Sequence, residues 1–251
     1  MKINKICLLV LASLLTSCST VEEEQKVVYV EPEKVELDRP AMERAQTLTD
    51  LGLAYYQLGK YKYALEYLER SLSLDDKNAV TYQIIASIND RSNKSKQAQL
   101  YFDKALKLAP DNFDIVTTYA TFLYQQGRYE EALIEFNRVT DAPFYKKKWV
   151  AYTYLGYYDL KNKQQRQAEK RFFYALKMNK SYAPALLEMA RIRYNKGDMM
   201  SARAYIERYF SQAGKTLEGL QLAIKIENAL QGYVMAEQYQ LELKRKYPFA
   251  E

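Results

Sequence analysis

Tyr119 to Phe136 reads YATFLYQQGRYEEALIEF, and this stretch decides the fold. Ala120 and Ala132 lie on two helical segments that meet at Gly127. Small side chains at both positions let two backbones pack closely. Phe136, four residues after Ala132, fills the groove beside the partner helix. Gly127 permits the positive φ that ends the first helix. The stretch therefore reads as an antiparallel pair of helices, and such a pair cannot bury its apolar face alone.

Outward from Ala132 the same residue recurs at Ala64, Ala98, Ala168, Ala202 and Ala236, with successive spacings of 34, 34, 36, 34 and 34 residues. Thirty-four residues is the tetratricopeptide period. Gly52 and Gly156 stand at the small position of the first helix, with Ala86, Ala120 and Ala190 as equivalents; Phe102 and Phe172 repeat the role of Phe136. Gly59-Lys60-Tyr61 repeats the turn, and Pro110 and Pro248 stop second helices. The register predicts an all-α chain over 41–251, a right-handed superhelix of six hairpins and about twelve helices. Its units are 45–78, 79–112, 113–146, 149–182, 183–216 and 217–250. The two additional residues, 147–148, predict a longer loop near Pro143, where the superhelix could divide into two blocks of three.

The N-terminus carries a different pattern. Lys2 and Lys5 precede an apolar or small run from Ile6 to Leu15, too short to span a bilayer. This is the layout of a secretory signal, here residues 1–17. Leu15-Thr16-Ser17-Cys18 looks like a bacterial lipobox, which makes Cys18 the acylated residue. Ser19 after the cysteine favours, by analogy with lipoprotein sorting, the outer membrane. Residues 18–40 read as a tether of about twenty residues. Residues 19–40 hold Pro32 and Pro40 and carry more acidic than basic side chains. Val27-Val28-Tyr29-Val30 is a short β-prone patch within it, either a chance cluster or a segment that adds as a strand to a partner.

Composition narrows the chemistry. The chain has no histidine, which removes the commonest general base and metal ligand. Its two cysteines are Cys7, in the expected signal, and Cys18, so no disulfide, thiol nucleophile or Cys/His zinc site is expected in the mature chain. Glu130 and Glu131 are neighbours on a helix and point in different directions. No nucleophile–base pattern, phosphate loop or metal cluster is evident, so a catalyst is not expected, nor a cofactor beyond the lipid on Cys18. The formal charge of +6 divides as +2 on residues 1–18, −4 on 19–40 and +8 on 41–251, so the basic charge sits on the repeats. Lys146-Lys147-Lys148 beside Trp149, then Lys161, Lys163 and Arg166, and Lys244-Arg245-Lys246 are basic clusters. Solvated helix faces explain them most simply; anionic lipid or an acidic partner is a stronger alternative than nucleic acid for an exported protein.

In such arrays the first helix of each hairpin lines the concave face. The register places Leu53, Tyr56, Ile84, Tyr124, Tyr154, Tyr157, Arg191 and Tyr194 on that inner stripe as candidate partner-binding residues. Tyrosine suits an anchor because it gives a large contact area at low entropy cost. Thr49, Leu53 and Ser87 occupy positions where carboxylate-clamping tetratricopeptide domains carry Lys and Asn, so that mode is not expected.

Beyond the generic repeat, Tyr119 to Phe136, Ala183 to Tyr209 (APALLEMARIRYNKGDMMSARAYIERY) and Leu220 to Pro248 (LQLAIKIENALQGY…QLELKRKYP) resemble the type IV pilus biogenesis lipoproteins of the PilF/PilW family. The resemblance covers 45–248 and the signal. It implies an outer-membrane pilotin that binds the type IV pilus secretin and promotes its localisation or ring assembly. Its partners would be that secretin and, through the lipid anchor, the outer membrane, with no nucleic acid and no small-molecule substrate. Thr117-Thr118-Tyr119-Ala120 departs from the family's usual Asn-Asn-Tyr-Gly, and Tyr124 stands where some members carry a disulfide cysteine. The sequence ends at Glu251, sooner after Pro248 than the resemblance implies. The alternative is a tetratricopeptide adaptor for another envelope machine, serving outer-membrane protein insertion or control of peptidoglycan synthesis.

Overall fold

The computed structural model describes residues 40–249. The expected signal 1–17, Cys18, the tether up to Arg39 and its Val27–Val30 patch lie outside the described residues. The described residues form twelve helices in six antiparallel pairs. The first three pairs are α1 (Ala41–Gln57) with α2 (Tyr61–Leu74), α3 (Ala79–Arg91) with α4 (Ser95–Leu108), and α5 (Phe113–Gln125) with α6 (Tyr129–Asp141). The last three are α7 (Trp149–Lys161) with α8 (Gln165–Met178), α9 (Ala183–Asn195) with α10 (Met199–Ala213), and α11 (Leu217–Ala229) with α12 (Tyr233–Lys246). Each pair packs on the next, and successive first helices lie side by side, α1 against α3, α3 against α5 and α5 against α7.

The marker alanines explain the close pairing. Ala64, Ala98, Ala132, Ala168 and Ala202 are fully buried and Ala236 almost so. At Gly156 even a methyl group is too much, since a Cβ would lie 2.8 Å from the Phe172 ring. Four residues after each marker, Leu68, Phe102, Phe136, Phe172 and Ile206 fill the inter-helix groove and have under 2% of their surface exposed. In the last pair the equivalent residue is exposed Gln240, because no further hairpin stacks beyond it among the described residues.

The turn inside every pair contains one residue with left-handed φ: Gly59, Asn93, Gly127, Lys163, Gly197 and Gln231. They follow the same register as the alanines, and three of the six are not glycine. Caps define several helix starts. Asn78 accepts from the Thr81 N–H, Asn112 from those of Asp114 and Ile115, Asp198 from Ser201 and Thr216 from Gly219.

The loop between α6 and α7 runs from Ala142 to Lys148, longer than the four-residue link Asp75–Asn78 between α2 and α3. It does not divide the stack. One core cluster contains Phe136 and Val139 of α6 together with Ala151 and Leu155 of α7. The described residues, 40–249, fall in one compact unit. The expected division into two blocks is therefore corrected: Ala142 is buried at the loop's root, and α7 docks on α6 as other first helices dock on the preceding pair.

Candidate functional site

A cleft of about 700 Å³ is walled mainly by the first helices α1, α3, α5 and α7. Tyr56 of α1, Ser87, Asp90 and Arg91 of α3, and Thr117, Thr118, Thr121 and Gln125 of α5 form its sides. Tyr145 and Lys147 from the long loop, with Trp149 and Val150 of α7, close one end. The two-residue insertion thus gives the cleft a wall that the regular period would not supply.

Its walls are mostly polar, and their hydrogen bonding sets what they can offer. Thr117, Thr118 and Thr121 donate their hydroxyls to the carbonyls of Phe113, Asp114 and Thr117 at 2.5, 2.9 and 2.9 Å. With the proton so engaged, each hydroxyl oxygen can act only as an acceptor, and Thr118 already accepts from the Gln83 amide at 3.3 Å. Arg91 donates from Nε to the Tyr56 hydroxyl at 3.0 Å and lies 5.5 Å from that ring's centroid. Gln126 donates to Asp90 at 3.2 Å, yet burial still pushes the Asp90 carboxyl above its ordinary value. Lys147 Nζ sits 3.2 Å from both Asp114 oxygens, and Tyr145 donates to Asp114 Oδ1 at 2.8 Å. These bonds brace the loop against α5. The cleft therefore combines acceptor hydroxyls, amides and paired charges with an apolar end at Trp149 and Val150. That chemistry suits an extended polypeptide, whose backbone offers N–H groups and whose side chains need occasional apolar seats. Among the described residues no group of three or more acidic or sulfur ligands is placed to hold a metal ion.

Of the eight inner-stripe candidates, only Tyr56 lines this cleft. Ile84 is a correction. It is 2% exposed and belongs to the first core cluster with Tyr55, Leu68 and Ile88. Helices α1 and α5 flank α3 on both sides, so an apolar side chain there is used in packing, and Ser87, Asp90 and Arg91 present the polar face instead. Leu53 is half-buried against the same cluster. Thr49, weighed above as a clamp position, is buried too, hydrogen-bonded to Ser71 at 2.8 Å and Thr81 at 2.6 Å.

Tyr124, Tyr154 and Tyr157 come together as a packed ladder and not as free anchors. Tyr124 meets Tyr154 edge-on at 5.1 Å, Tyr154 stacks on Phe136 at 5.1 Å, and Tyr157 meets Tyr154 at 5.8 Å and Phe172 at 5.6 Å. Burial pushes the Tyr124 phenol up to about 12 and raises Tyr154 and Tyr157 as well. The Tyr154 hydroxyl still meets Thr121 and Gln125, so the ladder supports the cleft wall from behind. Tyr194 is half-buried against the core cluster that contains Phe172 of α8, Met189 of α9 and Ile206 of α10. Arg191 pairs with Glu188 at 3.4 Å and with Glu218, beside a smaller hollow near Leu160 and Ile192. Burial holds the Glu188 carboxyl above its ordinary value, and Arg191 offsets part of that.

Ser87, Thr117 and Thr118 entered the sequence reading only as departures from other motifs, and the polar cleft wall was not foreseen, because serine, threonine and glutamine at helix positions carry no hydrophobic period. The one usable clue was register: Ser87 and Thr121 are one period apart, as are Arg91 and Gln125.

Residues 45–78 and 91–143 each match a family model described as tetratricopeptide repeat. A curated relative, the type IV pilus assembly protein PilF of Pseudomonas aeruginosa, is 27% identical over 248 residues, covering 99% of this chain and 95% of its own. A solved structure of Pseudomonas aeruginosa PilF superposes with a TM-score of 0.76 at 28% identity, covering 84% of this chain and 96% of that one. The crystal structure of PilW, described as a widely conserved type IV pilus biogenesis factor, gives a TM-score of 0.69 at 27% identity, with 82% and 95% covered.

Proposed function

The chain is a PilF/PilW-type tetratricopeptide-repeat protein, and from that premise we propose that it serves type IV pilus biogenesis as a non-catalytic scaffold. In this reading the protein is exported, acylated at Cys18 and held at the outer membrane facing the periplasm. There it binds the pilus secretin and promotes its localisation or its assembly into multimers. The cleft between α1 and α7 receives an extended segment of that partner.

One observation carries the proposal: the likeness to PilF runs through nearly the whole chain, where a generic repeat protein would share only the repeat positions. The cleft supplies a physical means, because a scaffold needs a preformed surface and the braced loop and tyrosine ladder provide a rigid one. The experiment is deletion of the gene, followed by gel analysis of secretin multimers and counting of surface pili. Loss of both, restored by the intact gene, supports the reading. Normal multimers and normal pili in the deletion strain would overturn it.

A further inference from the structure

Helix α8 carries an outward stripe unlike that of any other second helix. Arg166, Lys170, Phe173, Tyr174 and Lys177 follow one another at helical spacing on one face. All five are exposed, Phe173 by 56% and Tyr174 by 45%. No carboxylate pairs with any of the three cations among the described residues. The nearby acid, Glu169, is already engaged by Arg193 at 2.8 Å and by Lys196.

The other second helices show how an ordinary solvated face looks in this fold. At the positions one or more periods away, α2 has Glu66 and Glu69, α4 has Asp103, α6 has Glu130 and Asp141, α10 has Glu207 and α12 has Glu242. Each of those faces mixes signs. Only α8 among the described second helices combines cations and two rings with no acid. Beside the stripe, between α8 and α9, lies a hollow of about 510 Å³ bordered by Arg166, Lys170, Phe173 and Tyr174 and, on its other side, by Glu169 with its two cationic partners Arg193 and Lys196. Tyr174 is seated against Tyr152 of α7 at 5.5 Å, which fixes its ring at the surface.

We propose that the outer face of α8 is a contact surface for anionic phospholipid. The stripe spans about 16 Å of helix. It has cations at both ends and rings between, an order that suits a flat interface. Lysine and arginine heads sit at the phosphate level, and amphipathic rings lie at the acyl boundary. The hollow beside it seats one headgroup phosphate against Arg166 and Lys170. The attraction stands on α8 alone and does not require acylation of Cys18.

The test uses the full-length chain and flotation with vesicles of phosphatidylcholine, with and without phosphatidylglycerol. Each basic side chain near such a surface is worth about fivefold in partitioning, so three contribute about 100-fold. The expected result is a preference of that order for phosphatidylglycerol, lost in raised salt. The triple variant Arg166→Glu, Lys170→Glu, Lys177→Glu abolishes the preference, with helical circular dichroism unchanged. Binding to pure phosphatidylcholine, carried by the apolar run Ile6–Leu15 of the unprocessed chain, stays the same in both proteins and is the baseline against which the preference is read. Two outcomes overturn the proposal. One is no preference for phosphatidylglycerol, including the case where a glutamate-rich peptide is captured instead. The other is a preference that survives the triple reversal, which would place the contact on another basic cluster.

Discussion

Phe136→Ala tests whether the stack is one cooperative body across its long loop. Phe136 is fully buried on α6, stacked on Tyr154 of α7 at 5.1 Å. Truncating a buried phenylalanine costs about 3–5 kcal/mol. The lost ring pair lies within that figure, which is the whole cost of the truncation. For a body of this size each kcal/mol moves Tm by about 2–4 °C, so a fall of about 6–20 °C is expected. The assay has a built-in reporter, because Trp149 is the chain's single tryptophan and lies on the far side of the loop. Urea unfolding is followed at once by Trp149 fluorescence and by far-ultraviolet circular dichroism. Both midpoints should fall together. If the dichroism becomes biphasic while the Trp149 midpoint stays in place, residues before the loop unfold separately. The continuous core described here would then be wrong.

Further predictions rest on single observations. Lys163 and Gln231 hold left-handed φ, a conformation that costs most side chains about 1–2 kcal/mol. Lys163→Gly and Gln231→Gly should each raise stability by about 0.5–1 kcal/mol after the added unfolded-chain entropy, read as a small rise in Tm. Glu227 is 3% exposed and bonded twice by Arg203, through Nε at 2.7 Å and through the other guanidinium nitrogen. Arg203→Leu strands that carboxylate and should cost about 3–5 kcal/mol in denaturant unfolding, whereas the double variant with Glu227→Leu should recover much of the loss. Burial raises the Glu188 carboxyl above its ordinary 4.5, so the folded state holds that proton more tightly than the unfolded state. Its contribution to stability is fully present below 4.5 and is lost as pH rises through the raised value. Glu188→Gln should therefore flatten the fall of Tm with pH in that window, and an unchanged slope would refute the assignment.

The fold was legible because its demands on side chains are strict. Two backbones in close contact accept only Ala or Gly, and Ala64 through Ala236 announce this at every period. The turns were half legible. Gly59 and Gly127 signalled left-handed φ, but Asn93, Lys163 and Gln231 hold the same conformation without glycine and gave no sign. The site was the least legible. Counting along the helix put Ile84 and Tyr154 at one register position, yet neighbouring first helices bury Ile84, while the partners of Tyr154 are rings on α5, α6 and α7. The cleft wall is built from threonines whose role depends on which proton each carbonyl engages, a three-dimensional fact. The long loop was foreseen from the 36-residue spacing, but not that Tyr145 and Lys147 would be tied to Asp114 and form the end of the cleft.

The most direct test of the central claim is site-specific photo-crosslinking in living cells from Thr118 and Gln125, on the cleft wall. A photo-reactive residue is placed at either position in the full-length protein, with exposed Glu207 on α10 as a reference away from the cleft. The account predicts a secretin adduct from Thr118 and Gln125 and none from Glu207. Secretin adducts from Glu207 with none from the two cleft positions would contradict it.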